Sequence, residues 1–227
     1  EEQRIITLTS EFEQKIAETE ISALRSQMNP HFIFNCLNSI KLYSLENDSQ
    51  AASDYLTKFS RLIRLVLENS RSEKVTLENE IETLRLYIEM EAMRFKDKVN
   101  FKINVAADID QQFIEIPPLL LQPFVENSIW HGLMHKPEGG QVIIDIMMPT
   151  EQQLHIEITD NGIGRKKALE YKSKSAMKSK SYGMKVTNER IELINQIYKT
   201  NTRVEIFDLE NSSGESLGTK VVLNTSI

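Results

Sequence analysis

The sequence predicts an α+β protein in two parts, a helical hairpin followed by a sandwich in which helices cover a mixed sheet. Three observations predict it. Apolar residues recur at spacings of three and four through most of the first 70 positions. From Phe101 onward, short stretches of alternating apolar residues appear, bounded by Asn, Asp and Gly. Strand-like and helix-like stretches then mix without regular β-α-β alternation, which points away from a doubly wound parallel sheet.

Residues 1 to about 46 read as one long helix, with Ile5, Leu8, Phe12 and Ile16 on a narrow apolar stripe and Glu11, Glu13, Lys15 and Glu18 on the solvated side. A narrow stripe on a charged helix suits a seam with another chain, although the shift between Ile16 and Ile21 departs from a strict heptad. Ile21, Leu24 and Met28 before His31, and Ile33, Leu37 and Ile40 after it, carry the helix through that histidine. Pro30 lacks an amide donor and is expected to kink the helix just ahead of His31. A kink can expose the imidazole for chemistry, and a packed core histidine fits the same nonapeptide. The polar turn Glu46-Asn47-Asp48-Ser49 leads to a second helix marked by Ala52, Tyr55, Leu56, Phe59, Leu62, Ile63 and Val66. A lone hairpin leaves too much apolar surface in water, so two copies are expected to pack as a four-helix bundle.

A boundary is expected near residue 72, giving domains 1–71 and 72–227. Thr76 can cap a third helix whose early Glu78 and Glu80 complement its positive end. Phe101, Ile103 and Val105 announce a strand, and Pro117-Pro118 is read as opening a helix from Leu119 to about His131. Strands follow at 141–148 and 153–159. The lysine- and serine-rich stretch 165–182 reads as a mobile lid. A helix from Gly183 to about Lys199 and strands near 202–208 and 219–224 complete the chain, with Asn211-Ser212-Ser213-Gly214 turning between the last two.

A net charge of -6 and an apolar fraction of 40% give no basic field for nucleic acid or an anionic membrane. The single cysteine, Cys36, stands among apolar helical neighbours and cannot form an internal disulfide. No run of about 18 apolar residues is present to span a membrane. The chain begins with Glu1 rather than methionine, so a fragment is expected, cytoplasmic in place, with a membrane or sensory part upstream in the parent.

The second half holds three pieces that can act together. Asp160 at a strand end can accept a hydrogen bond from an exocyclic amine such as adenine's, while Gly162 and Gly164 let backbone approach a ligand. Asn127 can offer an amide oxygen to Mg²⁺, which keeps several waters and shares phosphate oxygens. Gly183, ahead of a helix start, suits phosphate. Taken singly, Asp160 to Gly164 is equally a plain turn, and Asn127 and His131 read first as packing or capping residues rather than ligands.

Four segments together resemble a known family: QMNPHFIFNCLNSI (Gln27 to Ile40), IPPLLLQPFVENSIWHGL (Ile116 to Leu133), DNGIG (Asp160 to Gly164) and GMKVTNERIELIN (Gly183 to Asn195). The chain resembles the cytoplasmic kinase core of two-component sensor histidine kinases, of the LytS-like subgroup that pairs with response regulators carrying LytTR DNA-binding domains. The DNGIG piece is shared with the wider GHKL superfamily of ATPases, which includes gyrase, heat-shock and mismatch-repair proteins. The resemblance implies a homodimer, a GHKL-type ATP-binding sandwich, phosphorylation of His31 from Mg-ATP and transfer to an aspartate of a response regulator receiver domain. It also implies that Asn127 binds Mg²⁺, that Asp160 reads adenine and that Gly162, Gly164 and Gly183 line the nucleotide site. A signalling scaffold or phosphatase of the same fold, or a gyrase-type clamp, is the alternative. Phe32 stands where many relatives carry an acidic residue after the phosphorylated histidine, so Asn35, one turn on, is given an orienting role. Pro123, Trp130 and Lys185 are further departures, which bear on nucleotide affinity rather than on fold.

Overall fold

The computed structural model describes residues 30–46, 48–70, 72–95, 98–174, 191–192, 195 and 201–227. The chain divides into two compact units between Glu73 and Lys74.

In the first unit, α1 (Pro30–Leu45) and α2 (Ser49–Ser70) form a hairpin. The polar turn between them is closed by Asp48, whose side chain accepts a hydrogen bond from the Ala51 amide at 3.0 Å and so satisfies an amide of the α2 start. Phe32, Cys36, Tyr55, Leu62 and Val66 are buried, and the Tyr43 and Tyr55 rings meet at 5.9 Å. The expected helix through residues 1–29 lies outside the described residues. Pro30 is the first described residue of α1, so the expected kink just ahead of His31 lies outside the described residues.

The second unit opens with a two-residue strand, β1 (Val75–Thr76), which leads into α3 (Leu77–Arg94). Thr76 caps α3 as its spacing predicts, its side chain accepting from the Asn79 amide at 3.2 Å. Then come β2 (Val99–Val105), β3 (Glu115–Ile116), α4 (Gln122–Asn127), a π-helical turn over Ser128–Leu133, β4 (Gly140–Thr150), β5 (Gln153–Asp160), α5 (Gly164–Lys174), β6 (Arg203–Glu210) and β7 (Ser216–Ser226). A five-stranded mixed sheet runs in the order β2-β4-β5-β7-β6, with β2 and β4 parallel and the other pairs antiparallel. The register sets Val142, Ile144 and Ile146 of β4 beside Ile156, Ile158 and Asp160 of β5, and those beside Thr219, Val221 and Leu223 of β7. These residues are buried, and α3, the π turn and α5 contact the sheet strands. The expected α+β sandwich is the observed fold.

Three local expectations need correction. Leu119 does not begin a helix: its φ is +54°, in the left-handed region, and α4 starts only at Gln122 with Pro123 in its first turn. The cause is tertiary. The buried Glu80 carboxylate of α3 accepts from the Leu119 amide at 2.8 Å and from the Leu121 amide at 3.0 Å, drawing the segment into a turn. The second correction is that the helix does not run unchanged to His131 but widens into the π turn after Asn127. Third, residues 165–174 of the expected lid belong to helix α5, whose first turn is tied to β6 by Arg165, paired with both Asp208 oxygens at 2.6 and 2.7 Å, and by Lys166, 2.6 Å from Glu210. The rest of the expected lid, 175–182, lies outside the described residues.

Candidate functional site

Asp160 is the last residue of β5 and the fourth member of its buried row, after Leu154, Ile156 and Ile158. A carboxylate at a strand end in an apolar row must be held by donors. Its Oδ1 accepts from the Gly162 amide at 2.9 Å, turning the chain back on itself after the strand. Burial pushes the Asp160 carboxyl up to about 6, against the pull of the Gly162 amide, the Ser128 hydroxyl, the Thr219 backbone and the nearby Lys136 charge.

Across from this loop stands the π turn. A side chain on Gly132 would place its Cβ 2.9 Å from Asp160 Oδ1, so only glycine lets the turn come this close to the carboxylate. The Ile163 amide donates to the Gly132 carbonyl at 3.1 Å, and a Cβ on Gly162 would enter the Gly132 backbone. Asp160, Gly162, Ser128 and Gly132 therefore form one contact, and Asn127 is the residue just before Ser128 in the chain. Asn127 is half-buried at the α4–π junction.

The remaining loop residues hold the frame. Asn161 accepts from the Gln141 amide at 2.7 Å, and Lys136 Nζ donates to the Asn161 carbonyl at 3.0 Å. Gly164 has φ +75° and opens α5, and a Cβ there would run into the Ser216 side chain, so this glycine faces β7. Gly183 lies outside the described residues. His31 is the second residue of α1 and Asn35 is half-buried one turn later, its carbonyl accepting from Ser39 Oγ at 3.0 Å. Sequence reasoning missed Ser128, Gly132 and a cluster on the other flank of the π turn, formed by Glu91 and Arg94 of α3 with Phe95 and Trp130. The signal that could have found Gly132 is a glycine inside an apolar helical pattern, which is costly unless something must approach it closely.

The family model for histidine kinases matches residues 19–99. The sensor histidine kinase/phosphatase LytS of Staphylococcus aureus, in strains N315 and USA300 alike, is 31% identical over 149 residues, covering 66% of this chain and 25% of that protein. The chain thus carries a match to the histidine kinase family model and resembles the LytS-like sensor histidine kinases. It spans about a quarter of the length of the curated LytS relatives that it matches. Solved structures are more distant from this chain. The mycobacterial sensor histidine kinase MprB shows 15% identity and a TM-score of 0.44, covering 68% of this chain and 96% of that chain. Histidine kinase ThkA in complex with response regulator protein TrrA shows 12% identity and a TM-score of 0.45, covering 99% of this chain and 63% of that chain. Among the described residues, no helix is long and apolar enough to cross a membrane.

Proposed function

We propose that this chain is the catalytic part of a homodimeric sensor kinase that phosphorylates its own His31 from Mg-ATP and passes the phosphoryl group to an aspartate on a response regulator receiver domain, of the kind joined to a LytTR DNA-binding domain. The observation that carries the reading is the buried Asp160 carboxylate framed by Gly132 and Gly162, with Asn127 on the adjoining turn.

The residues fit the nucleotide. A carboxylate that is 3% exposed and keeps acceptor capacity beyond the Gly162 amide is suited to the exocyclic amine of adenine. Asn127 would hold Mg²⁺ through its amide oxygen. Among the described residues no group of three or more His, Cys, Asp and Glu side chains could hold a metal, so phosphate oxygens and water would complete the Mg²⁺ shell. Bound Mg²⁺ supplies charge neutralisation at the phosphates of a phosphoryl transfer. Gly162 and Gly164 would keep the loop after β5 narrow beside the nucleotide, and the resemblance gives Gly183, outside the described residues, a place at the same site. On α1, His31 receives the phosphoryl group, since a neutral imidazole is available near pH 7, and Asn35 orients that ring. Phe32 is buried and offers no base, so orientation rather than proton removal is the part this helix plays. The parent protein would carry its sensor upstream, at the inner membrane. The kinase/phosphatase name of the LytS relatives keeps hydrolysis of a phosphorylated regulator as a second activity of the same helix, with Asn35 placing the water.

With labelled ATP and Mg²⁺, the purified chain is expected to gain an acid-labile, base-stable phosphate that is lost in His31→Ala and in Asn127→Ala. Wild-type protein that binds ATP with Mg²⁺ and never gains label overturns the kinase reading. Label retained in Asn127→Ala overturns the Mg²⁺ assignment.

A further inference from the structure

The element that presents Asn127 is too short to hold its own orientation. α4 has six residues, and the π turn that follows has six more, with wider and weaker hydrogen-bond geometry than an α-helix. Something outside must fix how the junction is rotated. One flank is fixed at the adenine-reading carboxylate, where Ser128 and Gly132 meet Asp160 and Gly162. Trp130 is two residues beyond Ser128, which puts it on the opposite flank of a helical turn.

There it meets the last turn of α3. The Arg94 guanidinium carbon lies 4.5 Å from the centre of the Trp130 ring and 4.6 Å from that of Phe95. The two rings meet edge to face, 5.8 Å apart and at 85°. A delocalised guanidinium within cation–π reach of two aromatic rings makes a contact that a lysine ammonium does not reproduce. Arg94 Nη1 is also 3.3 Å from both oxygens of Glu91, a side chain with no exposed surface. Burial pushes the Glu91 carboxyl up to about 7, the Arg94 charge pulls it back, and Glu126 adds to the rise. Tyr87, one turn before Glu91, is pushed well above the ordinary phenol range by its own burial and then by Glu126 and Glu91, so Glu126 stands over the same cluster. Glu126 and Trp130 are four apart on one face and bracket Asn127 in sequence.

We propose that Arg94 is a positioning residue for the Mg-nucleotide, its guanidinium locked between Glu91, Phe95 and Trp130 so that the α4–π junction presents Asn127 at a fixed rotation. The proposal rests on the Mg-ATP reading above and adds to it a residue on another helix that touches neither metal nor adenine. Arg94 is held from both sides: the buried carboxylate pairs with its charge, and the two rings hold its guanidinium by cation–π attraction.

Trp130 is the only tryptophan in the chain, so its emission reports on this turn alone. The full chain, as wild type, Arg94→Ala and Arg94→Lys, is titrated with a non-hydrolysable ATP analogue with and without Mg²⁺ while Trp130 emission is followed. Arg94→Ala is expected to weaken Mg-nucleotide binding by about tenfold or more, the usual scale for groups that orient a metal ligand. Binding of the Mg²⁺-free nucleotide, which depends on Asp160, is expected to change by less than about twofold. Arg94→Lys keeps a charge for Glu91 but lacks the delocalised guanidinium, and is expected to retain the fold and still lose about threefold or more with Mg²⁺. It decides the matter where Arg94→Ala does not fold. Equal Mg-nucleotide affinity in wild type and Arg94→Lys, or an equal loss with and without Mg²⁺ in either variant, overturns the proposal alone. Wild-type protein that binds no nucleotide overturns the Mg-ATP reading and the proposal with it.

Discussion

The hairpin and the sandwich treat their apolar residues differently. In α1 and α2, Phe34 is 66% exposed and Leu45 70%, with Leu37, Leu42 and Leu56 also outward, against five buried large apolar or cysteine side chains in the two helices. In residues 74–227 the buried set includes Leu77, Leu84, Ile88, Leu120, Val142, Ile144, Ile156, Ile158 and Leu223, and the outward ones, such as Phe113, Leu169 and Phe207, are scattered along loops, a helix surface and an edge strand. The sandwich closes its own core, while the hairpin keeps a surface that a second copy of the chain would cover. The lesson is that stability and the proposed function are divided: the proposed ATP-side geometry lies within one unit, and the outward apolar side of the hairpin would be completed by assembly in the proposed homodimer.

Substitutions in the sandwich core are therefore expected to act regardless of protein concentration. The largest effect is expected for Glu80→Ala, which leaves the buried amides of Leu119 and Leu121 without their acceptor and releases the left-handed turn at Leu119. A loss of about 3–5 kcal/mol in the unfolding free energy of this unit is expected, read by urea denaturation. A loss below about 1 kcal/mol would show that the turn is held by something else. Ile156→Ala removes a fully buried side chain at the middle of β5 and is expected to cost about 3 kcal/mol by the same measurement. A concentration-dependent loss for either variant would break the contrast between the units.

Asp160→Asn is expected to move stability the other way. Burial raises this carboxyl from 3.8 to about 6, so the folded chain favours its neutral form. The stability it contributes is fully present below the unfolded value and is lost as pH rises through about 6. At pH 8 wild type holds an ionised buried carboxylate, and the asparagine variant does not. The variant should keep an acceptor for the Gly162 amide and gain on the order of 2 kcal/mol at pH 8, shrinking toward zero near pH 4. Nucleotide affinity should fall in the same variant, a trade expected of a group kept for binding. A variant less stable than wild type at pH 8 would show that the carboxylate is a structural group.

Much of the fold is legible in the sequence, for reasons that are local. Phe101, Ile103 and Val105 alternate because one face of β2 is apolar, and Leu154, Ile156 and Ile158 lead by the same period of two to Asp160, so the alternation alone marks that carboxylate as inward. Thr76 reads as a cap because its partner, the Asn79 amide, is three residues away. What escapes depends on distant partners. The turn at Leu119 is set by Glu80, 39 positions earlier, and α5 is tied by Asp208 and Glu210, 43 and 44 positions later. Two-residue strands such as β1 and β3 are too short to show a period. Nothing in the apolar pattern distinguishes a π turn from an α-helix over six residues. The Arg94 contact joins α3 to Trp130 across 36 positions, and in the sequence Trp130 stands out only as a departure from the family pattern.

The smallest effect on the fold, and the clearest contrast with the sandwich, is expected for the pair Phe34→Ser and Leu37→Ser on the outward side of α1. Both side chains are at least half exposed in the single chain, so removing them takes little buried surface from the hairpin itself. Serine lowers helix propensity by a few tenths of a kcal/mol at each position. The monomer's unfolding free energy is therefore expected to change by about 0.5 kcal/mol or less, and the transition of residues 74–227 not at all. Self-association should respond far more, because the proposed partner copy is what those two side chains would bury against. Sedimentation equilibrium of the double variant should show mostly monomer at concentrations where wild type is dimeric. Labelling of His31 is then the sharper readout. If transfer runs across the dimer, phosphate incorporation falls with the dimer population, and mixing the double variant with Asn127→Ala restores nothing. If transfer runs within one chain, the monomeric variant still labels His31. A double variant that stays dimeric would mean that this face is not the seam.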